Sequence, residues 1–527
     1  MNAADITIII ASLAIVVIVG LIAGRKRGQR AEDFFLASGR MPWWIIGTAF
    51  VSTSVSSEQI VGTIGSAYKN GMGIANWEMW SLPPYAILIA VFIPIYLRNK
   101  ITTVPELLKR RYCSLAGDIY SYVMLFAYVV VFNVPVLYGG ALTFAALTNT
   151  NFYIVLWVMV FLVAIYTVKG GLASVMWTDA VQCVMLLGGG LALYFVALWH
   201  VPGGWTAMVQ ANPERFHLYG PPNDPMAPFA GLVAGTLGLF VFYQATNQVM
   251  VQRILGARSL WHGIMGIIFA GFINFLRPLV TCFLGFIVYY WIYQMKQAAP
   301  LENQDLTFPF ALQTFAPSWG LRGIILAGFL AAVMSTVSAL ANSTATIFSL
   351  DVYRRNINPQ ASEQRLVRVG QTASLIALII AAFLAPAVGL AGGIFKYFQT
   401  GVTYLATPFI SVILVGLLWK RANQQGALAG LFGGIIIQLL VVAADALFGW
   451  KIHWLYLGAI AEGLTIILII IVSLATPPPP REQWEPFLWR PSMLLNITGE
   501  SKPWYASAAL WFTLYAMIFI LIYWWLW

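Results

Sequence analysis

A succession of apolar runs, each about the length of a bilayer crossing and separated by short polar loops, constrains this chain most. About 20 apolar residues make a helix long enough to span roughly 30 Å of hydrocarbon. About fourteen such runs fall near 6–24, 41–66, 73–97, 115–148, 152–168, 172–199, 227–252, 262–294, 319–349, 366–388, 393–419, 426–448, 452–476 and 506–527. Only 9% of the residues are charged and 60% are hydrophobic. A soluble domain is about 25% charged, so the expected class is an all-α integral membrane protein.

Charge placement predicts the topology. The first run lacks a basic leader and is followed by Arg25, Lys26 and Arg27, the reverse of a signal peptide, so a retained helix with an outer N-terminus is expected. About 22 Lys and Arg then fall on the inner side, in 25–40, 98–111, Lys169, 253–258, 354–368, 420–421 and 481–502. About five fall outside: Lys69, Arg215, Lys296, Arg322 and Lys451. Both termini are therefore expected outside, in a multi-pass cell-membrane protein. The net charge of +10 follows from these loops and is not a nucleic-acid signature.

Other classes are disfavoured. No G-x-x-x-x-G-K-[ST] loop is present to drive an ATP motor. Cys113, Cys183 and Cys282 are scattered, as are the four histidines, so neither a disulfide framework nor a metal motif follows. No nucleophile–base pair recurs, which argues against an enzyme. The loops 200–226 and 295–318 read as outer caps, and Pro477–Pro480 opens an inner linker to a last helix with an aromatic-rich end.

Within this apolar frame one stretch stands out. Val51 to Gly65 reads V-S-T-S-V-S-S-E-Q-I-V-G-T-I-G. Hydroxyls compete for backbone hydrogen bonds, glycine loosens the ladder, and a charge at bilayer depth costs roughly 2.5–3.5 kcal/mol on insertion scales. A helix broken around a binding site accounts for such a segment; a seam of small residues between helices is the plainer alternative. A second interrupted span, 227–252, lies five helices on, a pairing that suggests inverted repeats.

Polar residues at membrane depth are candidate site residues. Glu78, between aromatics in N-W-E-M-W-S, suits hydroxyl donors of a polyol, or else pairs with Arg277. Ser335, Thr336 and Ser338 place hydroxyls on one helix. Hydroxyls and freed carbonyls are hard ligands suited to a small alkali cation; ordinary back-bonding is the alternative. Asp179 either neutralises a second cation or is a partnered structural carboxylate. Asp445 and Glu462 read as residues facing each other or the interface, and Glu58 as a brace for the break.

The runs E-D-F-F-L-A-S-G-R-M-P-W-W, S-S-E-Q-I-V-G-T-I-G-S-A-Y, F-I-P-I-Y-L-R, T-V-P-E-L-L-K-R-R-Y, G-G-L-A-S-V-M-W-T-D, N-Q-V-M-V-Q-R, N-S-T-A-T-I-F-S-L-D-V-Y and G-L-L-W-K-R resemble the sodium–solute symporter family. The resemblance is closest to its sodium–galactose/glucose and sodium–inositol branch. It implies about 14 transmembrane helices with a five-plus-five inverted-repeat core: 1–40 an extra helix and basic loop, 41–225 and 226–421 the repeats, 422–527 three peripheral helices. It implies sodium as the coupling ion, held by the carbonyls of Ser52, Val55 and Ala332 and the hydroxyls of Ser335 and Thr336. Members using two sodium ions add an aspartate and further hydroxyls; Asp179, Ser335 and Ser338 match, while Ala339 stands where a further serine is common.

For the solute the resemblance implies Gln59, Glu78, Ser81, Asn274 and Gln399, with Trp77 and Phe395 as outer gates and Tyr243 as the inner gate. Asn274 replaces a characteristic lysine, Phe240 a polar sugar contact, and Gln244 a common tryptophan. The function so implied is sodium-coupled uptake of a small sugar or inositol by alternating access. Relatives carrying amino acids or carboxylates supply the alternative, and a transceptor or sodium-gated channel is a third class.

Overall fold

The computed structural model describes residues 2–25, 34–224, 226–317, 320–390, 394–495 and 502–527. The basic segment 26–33 and the Lys169 side chain, both counted above in the charge asymmetry, lie outside the described structure. The described residues form an all-helical bundle, with one isolated backbone bridge between Met41 and Ala257.

Ten of these helices are long and apolar enough to cross a membrane. The other four expected crossings, 41–66, 152–168, 227–252 and 262–294, fall on shorter or interrupted helices. The first of these runs as Trp43–Ser54, a break, a π-type turn over Glu58–Thr63, and Ile64–Asn70. The third runs as Phe229–Ala234, Thr236–Thr246 and Gln248–Leu255. Local chemistry sets several ends. Thr103 accepts the Glu106 N–H at 3.2 Å ahead of Val104–Arg111, and Asn423 accepts the Gly426 N–H at 2.9 Å ahead of Gln424–Phe448.

Burial ranks the helices. Leu321–Ile357 is 94% buried along its most apolar window, whereas Ala3–Gly24 is only 17% buried and presents its apolar surface outward. Trp43–Ser54 packs closely against Leu260–Asn274, with Trp43 and Phe269 edge to face at 5.0 Å. A Cβ on Gly47 would lie 2.6 Å from the Gly266 carbonyl oxygen, and one on Gly266 2.7 Å from Ile46. Glycine is required here because the backbones themselves touch.

Both termini lie at one end of the bundle. Asp5 accepts the Gly323 N–H at 2.9 Å, and Leu218 donates its N–H to the Leu526 carbonyl at 2.8 Å. Arg215 donates to the Tyr68 carbonyl at 2.9 Å, and a Cβ on Gly65 would strike the Gln304 carbonyl, so both long caps share that end.

Two arginines counted above as loop charges are structural. Arg111 is buried and donates to the carbonyls of Gly416, Trp419 and Ala422, capping the end of Ile394–Leu418. Arg253 is fully buried. Without these two, about 20 Lys and Arg remain in the segments expected inside, against about five in those expected outside.

Candidate functional site

The break in the first interrupted helix follows from its hydroxyls. Val55 is extended (φ −119°, ψ 112°), which ends the ladder of Trp43–Ser54. Ser54 turns its hydroxyl onto the Val51 carbonyl at 2.9 Å, and Ser57 donates to Val136 of a neighbouring helix at 2.6 Å. The Ser56 hydroxyl donates to the Glu58 carboxylate, so Glu58 braces the break from within. The second interrupted helix breaks similarly at Asn247 (φ −82°, ψ 120°), whose side-chain oxygen accepts from the Tyr128 hydroxyl at 2.7 Å.

On one side of the first break sits Leu321–Ile357. The Ser52 hydroxyl donates to Ser335 Oγ at 3.0 Å, and Thr336 donates to the Thr53 carbonyl at 3.2 Å. Ala332 lies fully buried one helical turn before Thr336. The Val55 N–H reaches the Ser52 carbonyl at only 3.4 Å, leaving that oxygen weakly engaged. This set is hydroxyl and carbonyl oxygen, the donor chemistry of a hard monovalent cation.

Asp179 faces the same hydroxyls. Its carboxylate accepts from Ser335 at 2.6 Å and Thr53 at 3.3 Å, and pairs with Arg253 at 3.3 Å, both side chains fully buried. Arg253 also donates to Thr53 Oγ1 at 3.0 Å and to the Val249 carbonyl at 2.7 Å. Asp179 is thus a partnered carboxylate, and Ser338 turns back onto the Ser335 carbonyl at 2.9 Å.

On the other side of the break lies a cavity of about 60 Å³, lined among others by Gln59, Trp77, Tyr243 and Gln399. Ligand pockets usually run about 300–1,000 Å³, so this cavity is small beside them. Trp77 stacks between Phe240 at 5.6 Å and Trp454 at 5.3 Å, and meets Phe395 edge-on at 5.6 Å. Phe395 seats on Gly62, where a Cβ would lie 3.2 Å from it. Tyr243 stacks on Phe132 at 6.2 Å.

Three expected solute residues point elsewhere. Glu78 is fully buried in an ion pair with Arg277, and it is Arg277 that lines the cavity. Arg277 also donates to Asn274 at 3.2 Å, and Asn274 donates to the Tyr85 hydroxyl at 2.9 Å. Ser81 shares a 2.7 Å hydrogen bond with Tyr515 of the last helix. Lys396 is exposed, away from the cavity, while Asp445 accepts the Ile452 N–H at 2.8 Å in a surface turn. Tyr85, Gln244 and Ser54 also line the cavity and were not singled out as solute contacts from sequence. Their signal is positional: Tyr85 lies two turns beyond Glu78, and Gln244 follows Tyr243.

Buried polar atoms around this cavity lack partners among the described residues: Trp77 Nε1, Glu78 Oε1, Gln244 Oε1 and Arg277 Nε. Unpaired buried polar atoms beside a cavity are available to a polar ligand. Two broken helices, a hard-oxygen cluster and an aromatic-closed cavity at their junction define a secondary-carrier architecture.

The sequence matches the sodium:solute symporter family over residues 34–434, and the chain belongs to that family. It is a sodium-coupled solute symporter and not an enzyme, with sodium as co-substrate. It is 30% identical over 496 residues to a sodium/glucose cotransporter of Vibrio parahaemolyticus, covering 90% of each chain. It is 29% identical over 532 residues to sodium/myo-inositol cotransporter 2 of Sus scrofa, covering 92% of this chain and 79% of the relative. The fold matches a solved sodium-coupled sialic acid symporter in a substrate-bound outward-open state, with TM-score 0.79 and 21% identity over 90% of this chain and 99% of that one.

Proposed function

We propose that the chain takes up a small polyhydroxylated solute, a sugar or an inositol, coupled to sodium by alternating access. One observation carries this reading: the cavity offers neutral amides and aromatic faces, and the one cation among its described lining residues, Arg277, is already neutralised by Glu78. A neutral solute rich in hydroxyls satisfies such a wall without an uncompensated charge. The sequence relatives named for glucose and myo-inositol support the same class.

The proposed architecture has fourteen crossings: residues 1–40 an added helix and loop, 41–225 and 226–421 two inverted five-helix repeats, and 422–527 three peripheral helices. The Met41–Ala257 bridge supports it, because the start of the first broken helix meets the end of the second. Both termini face outside in this reading, in keeping with the basic loops at the opposite end.

Sodium binds the carbonyls of Ser52, Val55 and Ala332 and the hydroxyls of Ser335 and Thr336. It replaces the mutual hydroxyl contacts there and holds the broken helix against Leu321–Ile357. Solute then meets Gln59, Gln399 and the Glu78–Arg277 pair, Trp77 and Phe395 close outside, and Tyr243 yields inside. A second sodium at Asp179, Ser335 and Ser338 would have to displace Arg253, so one sodium per cycle is the favoured stoichiometry. One charge across 100 mV is worth about 2.3 kcal/mol, enough for roughly fiftyfold accumulation.

Arg277 on the cavity wall favours a second reading, a carboxylate solute with Glu78 protonated or displaced. Sodium-driven uptake of a labelled panel of sugars, inositols, amino acids and sialic acid in proteoliposomes decides. Saturable uptake of only anionic solutes would overturn the polyol reading, and sodium flux uncoupled from any solute would overturn symport for these substrates.

A further inference from the structure

Away from the transport cavity, a groove of about 950 Å³ runs between three membrane helices. One wall is a single face of Glu363–Leu384, on which Arg365, Arg368, Thr372, Ile376 and Ile380 recur at helical spacing. The wall thus passes from basic to apolar with depth. Arg365 to Ile380 is about 22 Å of helix at 1.5 Å per residue, compared with roughly 15 Å for the hydrocarbon of one leaflet. The facing walls are mainly apolar, with Val129 from one helix and Phe348 and Ile357 from Leu321–Ile357, and Thr344 and Tyr353 as their polar members. The groove opens to the bilayer, for Ile376 is 52% exposed and Ile380 44%.

Among the described residues the rim is basic, with no Asp or Glu on it or along the groove. Arg365 is aimed by donating its Nε to the Tyr353 hydroxyl at 2.9 Å, and the Arg368 side chain has no hydrogen-bond or ion-pair partner among the described residues. Glu363, the nearby acid, is engaged by Arg354 at 3.7 Å on the other side of the helix start.

We propose that this groove binds an acidic phospholipid, with the phosphodiester on Arg365 and Arg368 and an acyl chain along Thr372, Ile376 and Ile380. Charge complementarity selects the headgroup, and the apolar depth in a membrane-exposed wall selects a lipid over a soluble anion. The leaflet, inner, rests on the topology proposed above; the binding itself does not. The site also touches transport, because the inner end of Leu321–Ile357 forms its far wall and the same helix carries Ser335 and Thr336.

The test is thermal unfolding and native mass spectrometry of the purified full chain in detergent, titrated with phosphatidylglycerol, phosphatidylcholine or inorganic phosphate. Phosphatidylglycerol should raise the melting temperature and remain bound in the mass spectrum, while phosphatidylcholine and phosphate do neither. Arg365→Gln with Arg368→Gln should weaken phosphatidylglycerol about thirtyfold, from the usual increment per basic residue. Ile376→Trp, a lipid-facing change that fills the acyl path and leaves both arginines, should abolish the shift. An equal response to phosphatidylcholine, a response to phosphate alone, or an undiminished phosphatidylglycerol response in Ile376→Trp would overturn the proposal.

Discussion

Ser52 and Ser335, 283 positions apart in sequence, meet hydroxyl to hydroxyl at 3.0 Å across the first helix break. The Ser335 hydroxyl also donates to Asp179 at 2.6 Å, so its oxygen lone pairs are the atoms that turn onto a cation while that hydrogen bond is kept. Ser335→Ala and Thr336→Ala should each raise the half-saturating sodium concentration for uptake about tenfold or more, the usual worth of a polar contact to a charged group. Initial rates at graded sodium in proteoliposomes measure this. Unchanged sodium dependence in both variants would remove the assignment.

The Asp179–Arg253 pair makes a different forecast. Removing one partner of a buried ion pair leaves an uncompensated charge and costs roughly 3–5 kcal/mol. Arg253→Gln alone and Asp179→Asn alone should therefore unfold well below the native protein, while the double variant recovers part of the loss. A thermal double-mutant cycle reads the coupling, and purely additive single losses would contradict the pairing.

Glu78→Gln should convert the cavity from neutral to cationic, because Arg277 loses its counter-charge. Uptake of the neutral solute should fall roughly ten- to hundredfold, and competition by small carboxylates should rise. Competition assays at fixed sodium report both changes. A variant that keeps native selectivity would mean that Glu78 acts from too far away to matter.

Asp305, in the connection 295–318, offers a pH test. It is buried, and its carboxylate accepts the Ile394 N–H at only 3.4 Å. Burial raises its pKa above the ordinary 3.8, and the Ile394 contact opposes this only in part. The folded state then holds more protons than the unfolded state in the window above 3.8, so stability is fullest below it and falls as pH rises through it. Asp305→Asn keeps an acceptor and never ionises. It should melt above the native protein at pH 7, with the gap closing by pH 3.5. Parallel melting curves across pH would refute this.

Much of the design was legible from residue chemistry. Hydroxyls and glycines inside an apolar run marked the break at Val55, and helical spacing brought Ser335 near Ser338. Partnerships across the bundle were not legible. Nothing local in N-Q-V-M-V-Q-R marks Arg253 as buried rather than as a loop charge, since its partner lies 74 positions away. Glu78 and Arg277 were weighed as a pair, but which of them faces the cavity depends on how Asn274 and Ser54 hold the guanidinium. Ser81 was drawn from the site by Tyr515, 434 positions on, a contact no neighbouring residue announces.

The bare contact at Gly47 and Gly266 also bears on how force travels. Where Gly47 lets two helices come this close, the contact resists slipping, so a tilt of one is passed to the other. Trp43–Ser54 ends at the cation-side break, while Leu260–Asn274 ends beside Arg277 on the cavity wall. The pair therefore reaches from Ser52 to the neighbourhood of Arg277, and a tilt of one helix would move both ends together.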